Sequence, residues 1–92
     1  MKNFVTGNGG GMDAVSVVLR TLKPEERKVV MVLDAHGGTY LQKYIAKEAG
    51  LSRLKTHRVD AGLSERGILV AEKHGNTNEV TLVGWFHDGM HG

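Results

Sequence analysis

The stretch "LSRLKTHRVDAGLSERGILVAEKHGNTNEVTLVGWF", residues 51–86, decides the fold. Ser52 is a good helix N-cap, because its hydroxyl can accept from an amide of the first turn. Val59 and Leu63 lie four apart with Thr56 beside them, which is one buried face of a helix. Gly67 ends that helix. "ILVAEK" and "EVTLV" then read as strands: Val80 and Leu82 alternate with Glu79, Thr81 and Val83, as a half-buried strand requires. "HGNTN" joins the two runs, so the pair is a hairpin whose turn residues tolerate positive φ.

Upstream, "TYLQKYIAKEAG" predicts a very short strand at 39–41 and a short helix at 42–49 that buries Ile45 and Ala49 and stops at Gly50. In "LKPEERKVVMVLDAHGG", Pro24 suits the first helical position, and Glu25 and Glu26 suit the positive end of the helix dipole. Val29, Val32 and Leu33 are its expected buried stripe. Gly37 and Gly38 end it, and His36 is read as facing its negative end. Before this, Asp13 can cap a helix carrying Val15, Val18, Leu19 and Leu22. Residues 1–11 read as a flexible Gly-rich tail, 12–86 as one domain and 87–92 as a second flexible tail.

The order helix, short helix, tight turn, helix, hairpin predicts an α+β fold, a winged helix-turn-helix. It has a three-helix core, a C-terminal β-hairpin wing and an additional N-terminal helix. Residues 22–86 resemble the winged-helix transcriptional regulators of archaea and bacteria, in particular the small MarR-like domains of archaeal regulators. "LS" at 51–52, "ERG" at 65–67, "ILV" at 68–70 and "KHGNTN" at 73–78 carry the likeness. Two positions depart from it. Asp60 stands where such helices keep an aliphatic, and is read as an internal ion pair or a core-edge residue. Gly62 stands where a long polar residue is usual, and costs about 1 kcal/mol of helix propensity against Ala.

The resemblance implies double-stranded DNA as partner, with residues 52–66 as the recognition helix in the major groove. The outer face opposite Val59 and Leu63 holds Leu54, His57, Arg58 and Ala61, with Arg53 and Lys55 flanking it. Arg58 is the first choice for base reading, since one guanidinium can bond guanine O6 and N7 together. His57 suits a base edge, Leu54 a thymine methyl, and Ser52 at the positive helix end a phosphate. Gln42, Lys43 and Lys47 on the preceding helix suit phosphates, as do Lys73, His74, Asn76, Thr77 and Asn78 in the wing. Against this stands the plain reading that the charges form a solvated face and "HGNTN" is only a turn.

Charge is distributed in keeping with a polyanion partner. The chain of 92 residues carries a net charge of only +2, yet Gln42–Arg58 holds five basic residues against the single acid Glu48. There is no Cys, which excludes disulfides and thiolate metal sites and fits a reducing cytoplasm; the DNA partner that the resemblance implies adds an expected association with the nucleoid. "MKNFVTGNGGG" has no apolar signal region, and "VVMVL" at 29–33 is far too short to span a membrane.

Other chemistry finds little support. Gly7 and Gly9 begin a phosphate-loop pattern, but Met12 stands where its third Gly would fall. Ser16 and Ser64 are isolated, so no nucleophile–base arrangement, enzyme activity or cofactor is expected. His87 and His91 are four apart in "HDGMH", but Gly89 intervenes and no third ligand is near, so a frayed end and no metal site are expected. The helix with Val15, Val18, Leu19 and Leu22 is the expected homodimer surface, the alternative being that it simply packs on the core. Trp85 and Phe86 read either as a core lid or as part of that dimer contact. A non-specific architectural DNA-binding protein and a protein-interaction module are the competing readings.

Overall fold

The computed structural model describes residues 14–91; the Gly-rich segment 1–11, Met12 and the Asp13 cap lie outside the described residues. The chain runs α1 (Ala14–Thr21), α2 (Pro24–Ala35), β1 (Thr39–Leu41), α3 (Gln42–Ala49), α4 (Arg53–Glu65), β2 (Leu69–His74), β3 (Thr77–Leu82) and α5 (Gly84–His91). The three strands form one antiparallel sheet in the order β1-β3-β2. Helices α2, α3 and α4 make the expected three-helix core, and β2–β3 is the wing.

Local chemistry sets the boundaries. At the start of α2, Pro24 occupies a first-turn position and the Glu26 carboxylate accepts from the Lys23 amide at 2.8 Å. Gly50 ends α3 with φ +69, and the Leu51 amide returns to the Ala46 carbonyl at 2.9 Å, which makes the tight turn into α4. Ser52 caps α4, its Oγ accepting from the Lys55 amide at 3.0 Å. The hairpin is tighter than "HGNTN" suggested: His74 pairs with Thr77, so the connection is only Gly75 and Asn76, with Gly75 at φ +64. His74, Thr77 and Asn78 are therefore strand residues.

The core is aliphatic around one aromatic. Leu33, Ile45, Leu63, Ile68, Leu69, Val29, Val30, Val80 and Phe86 are fully buried. In α2 the buried positions are Val29, Val30 and Leu33, while Val32 is only partly covered. The helix is rotated so that the stripe 29–30–33 faces inward and Val32 sits at its edge. Asp60 proves to be fully inside, 3% exposed, and neither carboxylate oxygen has a hydrogen-bond partner. The internal ion pair, one of the two readings of this position, does not form among the described residues.

The C-terminal end differs most from expectation. Residues 84–91 are helix α5 rather than a frayed tail from 87 onward. Phe86 drops into the core, and Gly89 allows α5 to lie directly on α1, where a Cβ at position 89 would collide with Val15 Cγ2. Val15 and Leu22 are buried in this same core, with Leu22 just beyond the end of α1. Val15, Leu22 and Phe86 are thus occupied within the chain and cannot face a second copy in this arrangement. Val18 and Leu19 are partly buried against the core, whereas Val17 and Trp85 are exposed.

Candidate nucleic-acid interface

The buried face of α4 consists of Thr56, Val59, Asp60 and Leu63. This orients the rest of the helix outward. Arg53, Leu54, Lys55, His57, Arg58 and Ala61 are all exposed, and Leu54 is 60% exposed despite being apolar. Thr56 satisfies its hydroxyl by donating to the Ser52 carbonyl at 2.8 Å, which tightens the first turn. The exposed row therefore stands on a helix anchored at its N-terminus and along its inner side.

The start of α3, the start of α4 and the wing converge on one cleft of about 250 Å³. Gln42, Lys43, Arg53, Lys73, Asn76, Thr77 and Asn78 line it. Seven of the residues expected to touch DNA are thereby brought to one concavity. Asn78 Nδ2 donates to Gln42 Oε1 at 3.0 Å, tying the base of the wing to the first turn of α3. Lys43 lies 5.2 Å from the Tyr44 ring centroid. Lys47, His57, Arg58 and His74 are exposed outside the cleft.

Electrostatics separates the cations. Lys55 Nζ lies 3.4 Å from Glu25 Oε2 in the first turn of α2. Backbone hydrogen bonding, with Lys55 second, holds the Glu25 carboxyl below its ordinary range. Lys55 thus braces α4 against α2, a role that its place in the chain did not suggest. Arg53, Arg58, Lys43, Lys47 and Lys73 have no ion pair among the described residues. Those five positive charges have no acidic partner among the described residues.

Residues 21–83 match the family model described as "Domain of unknown function (DUF7343)". The chain belongs to this family. Solved structures similar to this DUF7343 domain include two described as transcriptional regulators. A MarR-like transcriptional regulator from Thermotoga maritima aligns with TM-score 0.64 and 21% identity, over 88% of this chain and 72% of that one. The transcriptional regulator PA4135 aligns with TM-score 0.69 and 20% identity, over 82% and 57%. NadR, solved in complex with 4-hydroxyphenylacetate, aligns with TM-score 0.65 and 16% identity, over 80% and 55%. The DUF7343 chain spans little more than half the length of these last two. The likeness establishes a MarR-like winged-helix fold. No curated protein matches the chain.

Two side-chain clusters that were not anticipated lie away from the cleft. Glu48 accepts from Tyr40 Oη at 2.5 Å and meets His36 Nε2 at 3.0 Å, while the His36 ring stacks on Tyr40 at 3.6 Å. The Tyr40 hydrogen bond, then that of His36, lowers the Glu48 carboxyl, and the same bond raises the Tyr40 phenol. His36 is therefore held by a carboxylate from α3 as well as standing at the C-cap of α2. Asp34, His87 and His91 form the second cluster. The pair His87–His91 was visible in the sequence, but the third member, Asp34, comes from α2, so the expectation that no third ligand lies near them is corrected. Glu48 likewise comes from a different element than His36.

Proposed function

We propose that the chain binds double-stranded DNA as a transcriptional regulator, with α4 in the major groove and the wing along the backbone or minor groove. The observation that carries this is the set of cations without acidic partners, among the described residues, around the cleft where α3, α4 and the wing meet. A cleft bordered by unneutralised cations and by amide and hydroxyl donors attracts phosphate, and an exposed helix beside it fits the major groove. Arg58 reads a base. Leu54, His57 and Arg53 contact base edges or adjoining phosphates, and Ser52, Gln42, Lys43, Lys73, His74, Asn76, Thr77 and Asn78 position the backbone. Lys55 reaches phosphate only by exchanging Glu25 for it. No catalytic role is assigned.

The test is a fluorescence-anisotropy titration with random duplexes and with a duplex from the gene's own promoter, at two salt concentrations. Preference for the promoter that persists at higher salt supports a sequence-specific regulator. Equal, salt-sensitive binding to both favours an architectural protein of the nucleoid. No binding at low salt rejects the DNA reading and directs attention to a protein partner for the basic face.

Arg58→Ala is expected to cost about 1–3 kcal/mol at the specific site and to relax discrimination at one base pair. An equal loss on random DNA would show that Arg58 touches phosphate instead. Lys73→Ala is expected to weaken binding to every sequence and to lower the slope of log K against log salt by about one. An unchanged slope removes Lys73 from the backbone contacts.

The reading extends to a homodimer that presents two α4 helices to successive major grooves. With Val15, Leu22 and Phe86 committed internally, Val17 and Trp85 are the exposed apolar side chains that α1 and α5 offer to a second copy. The molar mass in solution, measured by sedimentation equilibrium, decides this: a monomer across the concentrations used for DNA binding would exclude it.

A further inference from the structure

We propose that Asp34, His87 and His91 form a binding site for one divalent transition-metal ion, for which zinc is the best match. Because residues 84–91 are helical, His87 and His91 stand one turn apart on the same side of α5, with ring centroids 5.1 Å apart. That side faces Asp34 in the last turn of α2. Asp34 Oδ1 lies 2.5 Å from His91 Nε2 and 3.8 Å from His87 Nε2. One ligand atom from each of the three residues lies within 4.8 Å of the others.

These separations suit a shared ion. Ligand bonds of roughly 2.0–2.1 Å in a tetrahedral site place neighbouring donor atoms about 3.3 Å apart. The two distances from Asp34 fall on either side of that value, so a shift on the order of 1 Å would close the site. Two imidazole nitrogens and one carboxylate oxygen are a borderline donor set, suited to zinc and its neighbours rather than to magnesium or calcium. Three protein ligands leave a fourth position for water or another donor.

The surroundings hold the ligands in place. The side chains of Asp34 and His87 are 23% and 30% exposed, so the site is partly sheltered. Gly38, at φ +97, lies against the His87 ring, and a Cβ there would come within 3.1 Å of Cδ2 and 3.3 Å of Nε2. The bare backbone at position 38 leaves the space that the imidazole uses. On the other side of α5, Gly89 seats the helix on Val15. The residue that interrupts "HDGMH" is thus what lets the helix bearing both histidines dock. None of the three ligands lines the cleft between α4 and the wing, so the site is separate from the proposed DNA contacts. A bound ion would fasten α5 to the end of α2.

The experiment uses the full chain without a histidine tag. Zinc is titrated in competition with a chromogenic chelator, and cobalt(II) serves as the spectroscopic probe. The expected result is one ion per chain, visible ligand-field bands of a four-coordinate cobalt site, and a zinc-dependent rise in Tm. His91→Ala should lower zinc affinity at least about tenfold, since even outer partners of metal ligands contribute 10–100-fold, and should abolish the rise in Tm. His36→Ala should leave both unchanged. His91 is the most exposed of the three, so its variant remains informative if His87→Ala or Asp34→Ala fails to fold. Equal zinc affinity in the parent and His91→Ala chains would overturn the proposal and leave the cluster as ion-paired neighbours only. So would the absence of any ligand-field band from the parent chain.

Discussion

Asp60→Asn is expected to match the parent in stability near pH 4 and to exceed it by up to about 4 kcal/mol above pH 7, using 1.36 kcal/mol per pKa unit. The cause is burial: the carboxyl is 3% exposed with no partner on either oxygen, and desolvation pushes its pKa up from 3.8 to about 7. The folded chain therefore holds the Asp60 proton more tightly than the unfolded chain does. Stability from this group is fully present below the unfolded value and is lost as pH rises toward 7, after which the loss is constant. Asparagine removes the charge but keeps the shape, so the gap between variant and parent should open across that window and then level off. Denaturant unfolding of both proteins at a series of pH values measures it. A gap that stays constant from pH 4 to pH 8 would show that Asp60 does not change its ionisation on folding.

Phe86→Ala should destabilise the protein by about 3–5 kcal/mol, the usual loss when a buried aromatic side chain is truncated. Phe86 is completely buried, its ring meets Trp85 edge-on at 5.6 Å between centroids, and its amide donates to the Val83 carbonyl at 3.1 Å. Domains of this kind are stable by only about 5–15 kcal/mol, so the variant would approach the unfolding threshold. Trp85 is a convenient reporter, being the one tryptophan and adjacent to the lesion. A cost below about 1 kcal/mol would mean that α5 is not part of the cooperative core.

Helix α4 and the wing were legible because each of their devices is local. Ser52 caps within three residues, Gly50 turns the chain by its own φ, and Val80 and Leu82 alternate within one strand. What the sequence hid depends on packing between distant segments. The segment 84–91 has two glycines and weak helix propensity, and it is helical because Phe86 and Gly89 dock it on the core. Asp60 read as half of an ion pair or as a core-edge residue, and only the tertiary structure reveals that it is buried with no partner among the described residues. In the candidate interface, the outward direction of Arg53, Leu54, His57 and Arg58 follows from helical periodicity alone. The engagement of Lys55 with Glu25 required knowing how α2 lies against α4.

The strand order β1-β3-β2 leaves β2 at the rim of the sheet, and from Val70 to His74 its side chains are exposed. A rim strand presents unpaired amides and carbonyls along one side, an invitation for a neighbouring molecule to add a strand and begin aggregation. No described element covers this outer edge, which leaves side-chain chemistry as the available defence. Val70 is half exposed and would favour such stacking, whereas Glu72 and Lys73 set two charges along the same short strand. Lys73 then acts as a gatekeeper whatever else it touches, and replacing it with an apolar residue would leave a stickier edge.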